Sequence, residues 1–325
     1  MGGDHMDTCF WSTVEITQEG LTEIVLGAGT QIVRIFPEMG SNLFSYKVDD
    51  QEFLMNAGDI NQKGVKFGGI PILFPTPNRV RGGVFLYKGK AYPQVKNGET
   101  RLIHGLVCDE RWNYENPIVE NNTVKVVTVL CVEKGHPIYD AFPFPFLLRM
   151  TYTLSLQGLT ILYSVENLGD ECLPFGFALH PFFGKIDAEA SIFIQVPAEN
   201  VMEADACMPS GKLLKVESTR YDIRQPRVLQ DLDLDDVYWK LNATQKAVIE
   251  YRTLGRKMEL SASDDFSHMV VFTPKDRPCF CLENQTCSTD AHNLYAAGLE
   301  EISGLIRLPP GDIHEGWIRF TPGTL

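Results

Sequence analysis

The sequence has no stretch that approaches the ~18 consecutive apolar residues needed to span a lipid bilayer. Its first residues include no charged segment followed by an apolar one, so no export signal is expected. Cationic residues are also scarce, since 29 Lys and Arg stand against 42 Asp and Glu, a formal net charge of −13. Because this charge repels phosphate backbones and anionic membrane surfaces, we expect neither a nucleic-acid nor a membrane partner.

Cysteine is too sparse for a disulfide scaffold, with eight in 325 residues. Several lie in apolar runs, where a free cysteine behaves as a small hydrophobic residue, and this favours a reducing, cytoplasmic location. The densest group, Cys279, Cys281 and Cys287, lacks the C-x-x-C spacing of many zinc sites. We therefore expect no bound metal. Residues 279 and 281 share one face if their segment is a strand.

Signatures of several enzyme classes are missing as well. The chain has no G-x-x-x-x-G-K-[ST], no G-x-G-x-x-G opening a helix, no H-E-x-x-H and no G-x-S-x-G. Nucleotide-binding, dinucleotide-binding, zinc-protease and serine-hydrolase functions thus lack their specific signals. No window of roughly ten residues combines clean helical periodicity with caps, which disfavours parallel folds built on crossover helices.

Short runs rich in Val, Ile, Phe, Tyr and Thr recur along the chain between Gly, Asn, Asp or Pro, as β-strands do. The strands predicted from this pattern include residues 22–26, 31–36, 123–132, 146–156, 160–167, 191–196, 247–252, 257–262, 268–273 and 316–320. Gln157-Gly158 and Leu254-Gly255 have the glycine that tight antiparallel hairpins need. So many strands favour packed sheets, and we predict an all-β, large antiparallel sandwich with few short helices.

At most a few short helical turns are predicted, with Leu234 to Lys240 as the best candidate. No internal repeat, low-complexity tract or Pro/Gly/Ser-rich linker divides the chain. We interpret residues 6–325 as one domain, and residues 1–5 as a leader that lies outside it.

Polar side chains occur in four segments whose neighbours are stiff or turn-prone: residues 77–83, 102–105, 175–183 and 279–286. Asn78 and Arg79 belong to a Gly/Pro-rich loop whose backbone can approach a ligand. His104 ends an apolar run. His180 stands in an aromatic stretch, which suits a group that exchanges protons near neutral pH. The structural alternatives are a solvated loop arginine and buried histidines bonded to the backbone.

Glu283 directly follows an apolar run, and a carboxyl group beside a buried strand is costly unless it is paired or used. A structural ion pair is the alternative. Asp235 and Asp236 belong to an acidic run, for which a solvated loop is the usual explanation, and only one of the two is expected to face a ligand. We assign structural roles to His136 and His268.

Taken in order, these segments resemble the galactose mutarotase (aldose 1-epimerase) family over most of the chain. The landmarks are Asn78-Arg79, Gly89-Lys90 with Tyr92, His104-Gly105, His180-Pro181, Asp235, and Glu283 with Gln285-Thr286. Each is modest alone, whereas the ordered set is specific. The resemblance implies a galactose mutarotase-like β-supersandwich that interconverts the α and β anomers of free aldoses without a cofactor.

The resemblance also implies roles for individual residues. Glu283 is the base that takes the proton of the anomeric hydroxyl, and His180 is the acid that protonates the ring oxygen. The remaining implied residues bind and orient the sugar substrate: Asn78, Arg79, His104 and Asp235.

Residues 68–75 look more like the hexose-6-phosphate branch of the superfamily, so a phosphosugar is an alternative substrate. Arg81 or Lys66 could then assist Arg79, although the negative overall charge favours solvated surface positions for both. Two further functions compete with the epimerase: a non-catalytic sugar-binding module on the same fold, and a glycoside hydrolase with Asp235 and Glu283 as paired carboxylates. We expect a monomer or a weak homodimer.

Overall fold

The computed structural model describes residues 9–55, 68–241 and 244–325. The predicted leader, residues 1–5, and Lys66 lie outside the described residues. The first strands in chain order are β1 (Phe10–Ile16), β2 (Thr22–Ala28), β3 (Gln31–Phe36), β4 (Asn42–Val48), β5 (Gln51–Glu52), β6 (Ile72–Leu73), β7 (Val84–Tyr87), β8 (Lys90–Pro93), β9 (Val95–Lys96), β10 (Glu99–Thr100), β11 (Asn113–Tyr114), β12 (Ile118–Glu120), β13 (Thr123–Val132), β14 (Phe146–Ser155) and β15 (Gly158–Asn167).

The remaining strands are β16 (Leu173–Phe175), β17 (Ala178–Leu179), β18 (Phe182–Gly184), β19 (Ile192–Gln195), β20 (Ala198–Asp205), β21 (Met208–Lys215), β22 (Arg227–Val228), β23 (Asp235–Leu241), β24 (Ala247–Tyr251), β25 (Arg256–Ala262), β26 (His268–Phe272), β27 (Cys279–Gln285), β28 (Ile306–Leu308) and β29 (Ile313–Thr324). The helices are short: α1 (Pro137–Ala141), α2 (Ala291–Ala296) and α3 (Glu300–Ser303). Single 3-10 turns are found at Pro37–Met39, Arg81–Gly83, Glu189–Ser191 and Leu229–Asp231.

Two large antiparallel sheets dominate the fold, which confirms the predicted fold class. The ten-stranded sheet has the order β11-β13-β14-β15-β29-β25-β24-β19-β22, with β12 also on β13. The eight-stranded sheet has the order β21-β20-β23-β26-β27-β17-β6, with β18 also on β27. A five-stranded sheet, β1 to β5, and three two-stranded ribbons complete the described part.

The core follows from the period-two pattern of the strands. Along β13 and β14 buried positions alternate with more exposed ones, and the buried side chains are mostly Val, Leu, Met and aromatic residues. Residues of all three larger sheets contribute to one cluster of buried apolar side chains that extends from Ile24 to Phe320. In the described residues, no helix is long and apolar enough to cross a membrane.

The observed strands agree with the ten predicted ones, and all but the last end within two residues of the predicted bounds. Both predicted hairpins are present, because Ser155 pairs with Gly158 and Tyr251 pairs with Arg256. The last strand, β29, is longer than predicted since it pairs with β15 along one half and with β25 along the other.

The helical turn predicted at Leu234 to Lys240 is wrong, because this segment forms β23. Val237, Tyr238 and Trp239 favour extended backbone. Pairing with β20 on one side and β26 on the other supplies hydrogen bonds that a single helical turn cannot match.

Two crossing loops position part of the candidate site. The loop after β6 meets the segment before β11 through a parallel bridge between Phe74 and Gly105 and an antiparallel bridge between Arg79 and Ile103. The amide of Leu106 donates to the carbonyl oxygen of Phe74 at 2.8 Å. Gly105 has a φ of 68°, and a Cβ atom there would lie 2.3 Å from the same oxygen.

We predict that Gly105→Ala lowers the free energy of unfolding by more than about 3 kcal/mol, since left-handed strain adds to a backbone overlap. Gly89→Ala is the matched control. Gly89 also has a positive φ, of 74°, but a Cβ there meets nothing within 4 Å. Gly89→Ala should lower the free energy of unfolding by only about 1 kcal/mol. Urea unfolding measures both, and equal losses would contradict the prediction.

Candidate active site

A cavity of about 380 Å³ lies on one face of the eight-stranded sheet. The described residues that line it are Asn78, Arg79, Ile103, His104, His180, Phe182, Asp235, Val270, Phe272, Arg277 and Glu283. All six residues that the sequence predicts for the site belong to this lining. The fold thus brings together side chains from separate segments of the chain.

Three neighbouring strands form the floor of the cavity. Asp235 of β23 pairs with Phe272 of β26, which pairs in turn with Cys281 of β27. Two positions away on the same two strands, Val270 of β26 pairs with Glu283 of β27. Because paired residues point to the same side of a sheet and alternate residues share a face, these five side chains project from one surface.

The crossing loops form a wall of the cavity. The amide of His104 donates to the carbonyl oxygen of Asn78 at 2.8 Å. Asn78 and His104 both have left-handed backbone, with φ of 57° and 67°. This conformation is uncommon for residues other than glycine and is concentrated at functional sites.

Arg79 and Asp235 form an ion pair across the cavity, with 3.5 Å between Nη2 and Oδ2. Both side chains are about one third exposed, so a ligand can reach them. Arg79 Nη1 also donates to Asn78 Oδ1 at 3.2 Å, and the thiol of Cys207 donates to Asp235 Oδ2 at 3.2 Å. These contacts hold the guanidinium and carboxylate groups in one place.

Strand alternation distinguishes the two adjacent aspartates. Asp235 lines the cavity, whereas Asp236 projects from the other face of β23 and lies 3.9 Å from Arg220. Burial raises the pKa of Asp236. Of these two aspartates, Asp235 is therefore the one that can contact a ligand in this cavity.

His180 and Glu283 are in direct contact at the base of the cavity. His180 Nε2 lies 3.3 Å from Glu283 Oε1, and their side chains are only 8% and 3% exposed. The His180 ring stacks on Phe182 at 4.3 Å, and its backbone amide donates to the Pro71 carbonyl oxygen. Gln285 Nε2 donates to the second carboxyl oxygen of Glu283 at 3.2 Å. The other ring nitrogen of His180, Nδ1, is buried without a hydrogen-bond partner among the described residues.

Burial shifts the two pKa values in opposite directions. Desolvation, aided by the neighbouring His104, holds the pKa of His180 well below its ordinary value. Desolvation, aided by the charge of Asp235, raises the pKa of Glu283 well above its ordinary value. Both shifts favour the uncharged forms, a neutral imidazole and a protonated carboxyl group. A pair in this state has one proton to give and one site to receive a proton, as general acid–base catalysis requires.

Sequence reasoning missed Arg277 and the apolar lining. Arg277 belongs to the exposed turn between β26 and β27, and its guanidinium carbon lies 5.7 Å from the centroid of the Phe272 ring. A single arginine in a turn has no pattern that marks it. Phe182 follows the His180-Pro181 motif, but only its stacking on His180 reveals a contribution to the site.

Other titratable residues lie away from the cavity lining. Arg81 pairs with Asp290 at 3.4 Å, and its side chain is 60% exposed, in line with the solvated position that the sequence favours. His268 is buried, with Nε2 3.0 Å from the Ile302 carbonyl oxygen. His136 accepts a hydrogen bond from the Ile138 amide at the start of α1. Both histidines thus have structural roles, as predicted.

Three side chains of the kinds that bind metals lie close together here, two on strand β27 and one in the segment before β18. The ligand atoms of His180, Cys281 and Glu283 all lie within 4.8 Å of one another, and all three residues are buried. Cys279 and Cys281 do share one face of β27, as the sequence predicts for a strand. The expectation that the reaction needs no metal stays a prediction.

The fold is a sandwich of the galactose mutarotase-like class. A galactose mutarotase-like protein from Clostridium acetobutylicum has the same fold, with a TM-score of 0.87 at 20% identity over 97% of this chain and 99% of that one. A galactose 1-epimerase from Lactobacillus acidophilus gives a TM-score of 0.77 at 17% identity, over 97% and 98% of the two chains. The family model for aldose 1-epimerase matches residues 22–321. The chain therefore belongs to the aldose 1-epimerase family.

Two relatives identified by sequence are distant. The uncharacterised protein YihR of Escherichia coli is 22% identical over 228 residues, which are 68% of this chain and 71% of that protein. A maltose epimerase from Levilactobacillus brevis is 22% identical over 211 residues, or 60% and 61% of the two chains. Identities this low leave the substrate of the present protein to be argued from its site.

The raised pKa of Glu283 predicts a pH-dependent stability difference between wild type and Glu283→Gln. Above the ordinary value of 4.5, the folded carboxyl keeps a proton that the unfolded chain releases. Wild type should therefore lose stability relative to the variant as pH rises from 4.5 towards the folded pKa, by at most about 1.4 kcal/mol per pH unit.

Chemical denaturation at several pH values measures this difference. Glu259→Gln is the control, because hydrogen bonds from Lys246 and Lys257 lower the pKa of Glu259. Its difference from wild type should stay flat above pH 4.5, the ordinary value, and change only in more acidic solution. A flat curve for Glu283→Gln as well would show that the Glu283 carboxyl is not shifted.

Proposed function

We propose that this protein is an aldose 1-epimerase that interconverts the α and β anomers of a free aldohexose. The observation that carries the proposal is the buried contact of 3.3 Å between His180 and Glu283, inside a cavity that also presents Arg79, Asp235 and His104. A volume of about 380 Å³ lies within the ordinary range of small-molecule sites. Membership of the aldose 1-epimerase family supports the same reaction.

The reaction requires one proton to leave and one to arrive. In the active form, Glu283 is the carboxylate and His180 the imidazolium, a form reached when the shared proton moves across their contact. Glu283 removes the proton of the anomeric hydroxyl, whose oxygen becomes the aldehyde oxygen. The bond between the anomeric carbon and the ring oxygen breaks with its electron pair on the ring oxygen, which His180 protonates.

The open chain then turns about the bond next to the aldehyde and presents the other face of its carbonyl. Closure reverses the transfers: the C5 hydroxyl returns a proton to His180 and the new anomeric oxygen takes one from Glu283. Only protons move between protein and sugar, so the scheme uses no redox cofactor. Each positioned group contributes about 10²–10⁴-fold.

The other lining residues are suited to hold the sugar. Arg79, His104 and Asn78 offer hydrogen-bond donors, and Asp235 accepts from hydroxyl groups. Phe272 and Val270 offer apolar surface to the C–H groups of a pyranose. These contacts fix the ring against the acid and the base, and this orientation contributes to the rate.

The proposal predicts that the enzyme accelerates mutarotation of freshly dissolved α-D-glucose or α-D-galactose, followed by polarimetry or NMR. His180→Asn and Glu283→Gln should each lose at least about 10²-fold in kcat/KM and keep weak sugar binding. Asp235→Asn should mainly raise KM. Asp236→Asn is the matched control, because Asp236 faces away from the cavity and its loss should leave the rate close to wild type.

Two outcomes would favour other functions. Sugar binding without acceleration for every aldose tested would indicate a non-catalytic binding module. Release of reducing ends from a glycoside, lost in both Asp235→Asn and Glu283→Gln, would indicate a hydrolase that uses these paired carboxylates.

A hexose 6-phosphate is the second candidate substrate. The observation that favours it is that two guanidinium groups, Arg79 and Arg277, line the same cavity. Arg277 belongs to the exposed turn between β26 and β27, and a guanidinium group is suited to bind a phosphate. Arg81 does not line the cavity and cannot assist from its present position.

If the phosphosugar is the substrate, Arg277→Gln should raise KM for glucose 6-phosphate by about tenfold or more and leave KM for glucose within about twofold. Lys275→Gln is the control, since Lys275 is exposed on the same turn and contacts the Gln230 carbonyl oxygen. Equal effects of Arg277→Gln on both sugars would contradict a phosphate-binding role.

The remaining expectations concern partners and location. We propose that the sugar is the only partner of the reaction, that neither nucleic acid nor membrane takes part, and that the enzyme acts in the cytoplasm as a monomer or weak homodimer. The charge of −13 and the free cysteines support these points.

A further inference from the structure

Cys281 has no part in the proposed reaction, yet it lies beside both reacting groups. It is fully buried on the same face of β27 as Glu283, and it pairs across the sheet with Phe182, on which His180 stacks. A serine or alanine side chain is small enough to pack at this position, so packing alone does not require a thiol. The thiol adds a third metal-ligating atom to the imidazole and carboxylate, all within 4.8 Å.

The spacing fits a zinc ion. With Zn–N and Zn–O bonds of about 2.0–2.1 Å, the 3.3 Å between His180 Nε2 and Glu283 Oε1 corresponds to an N–Zn–O angle of about 107°, close to tetrahedral. Tetrahedral zinc keeps a sulfur and a nitrogen ligand about 3.5 Å apart. The cluster, at 4.8 Å or less, therefore needs at most a shift of about 1.3 Å to close around the ion.

Charge and surroundings also favour zinc over harder cations. A thiolate and a carboxylate together neutralise a divalent ion, so the occupied site has no net charge to bury. Sulfur and imidazole ligands select zinc over magnesium or calcium, which prefer oxygen. His180 and Glu283 both line the cavity, which gives the ion a path of entry and leaves its fourth position open to water.

We propose that His180, Cys281 and Glu283 form a zinc-binding site and that zinc bound there inhibits the enzyme. Binding replaces the thiol proton of Cys281 with the metal ion. The bound ion occupies the lone pairs that the reaction needs for proton transfer, and it blocks the sugar. The inhibition rests on the proposed epimerase function, whereas the binding does not.

Titration of the full chain with Co²⁺ tests the binding directly. Wild type should bind one equivalent, with the d–d spectrum of a tetrahedral site and a thiolate-to-cobalt charge-transfer band. Cys281→Ser should lose that band and bind at least about 100-fold more weakly, because even residues outside the first ligand shell cost 10–100-fold. Cys279→Ser is the matched control, because Cys279 is also buried on this face of β27 but lies outside the metal-ligating cluster. The Co²⁺ spectrum of this variant should match that of wild type.

A second readout guards against a misfolded variant. Zn²⁺ should raise the Tm of wild type and Cys279→Ser, and raise the Tm of Cys281→Ser and Cys281→Ala far less. A charge-transfer band that survives in Cys281→Ser, or no stoichiometric Co²⁺ binding by wild type, would overturn the site.

Mutarotation assays then test the inhibition. Zn²⁺ should slow the wild-type and Cys279→Ser enzymes, a chelator should restore the rate, and Cys281→Ser should need much more Zn²⁺ for the same loss. Unchanged rates with the site filled would overturn the inhibition. Cys281-dependent Co²⁺ binding by a protein inactive on every sugar would instead count against the epimerase function and leave the zinc site standing.

Discussion

The structure of the site depends on one contact, that between the imidazole of His180 and the carboxyl group of Glu283, buried at 3.3 Å. Neither group can carry a full charge alone in this place without a large desolvation cost. When the two groups share one proton, the group that carries it is the acid and the other is the base. A solvated pair with the same spacing would escape this desolvation cost, and burial would no longer shift its pKa values.

The scaffold holds this contact through elements that are far apart in the chain. The register between β26 and β27 places Glu283 opposite Val270, and the segment between β17 and β18 brings His180 over it, anchored on the Pro71 carbonyl oxygen. The remaining polar groups come from the crossing loops. Residues held on strands and tightly bonded loops keep catalytic geometry more precisely than residues on free loops do. The same rigidity brings Cys281 to the reacting pair, which is why a zinc site and an acid–base site can coincide.

Much of the fold could be predicted from the sequence, because period-two patterning is a local signal. Strands such as 123–132 follow directly from it, and both hairpins follow from another local signal, the glycine at each turn. The prediction for the β23 segment was wrong because its extended form depends on two neighbouring strands, which a local pattern does not contain. The choice between Asp235 and Asp236 likewise depended on how β23 pairs with its neighbouring strands, because a shift of one residue would exchange the two faces of the strand.

For the site, six residues marked by motif order line one cavity, although the lining by itself assigns them no role. Arg277, Cys207 and Cys281 could not be found in the same way. Arg277 is an isolated cation in a turn, Cys207 touches Asp235 only through the β20–β21 hairpin, and Cys281 looks like any cysteine in an apolar strand. Their relevance comes from tertiary proximity, for which one sequence has no signal.

The central claim is that a single sugar lies in the cavity against both Glu283 and His180, with its anomeric hydroxyl next to the carboxyl group and its ring oxygen next to the imidazole. A crystal structure of Glu283→Gln with a bound aldohexose tests this most directly. The account predicts the anomeric oxygen within roughly 2.6–3.2 Å of the residue 283 side chain and the ring oxygen within the same reach of His180. A sugar bound outside this cavity, or bound within it with both oxygens turned away from residues 180 and 283, would contradict it.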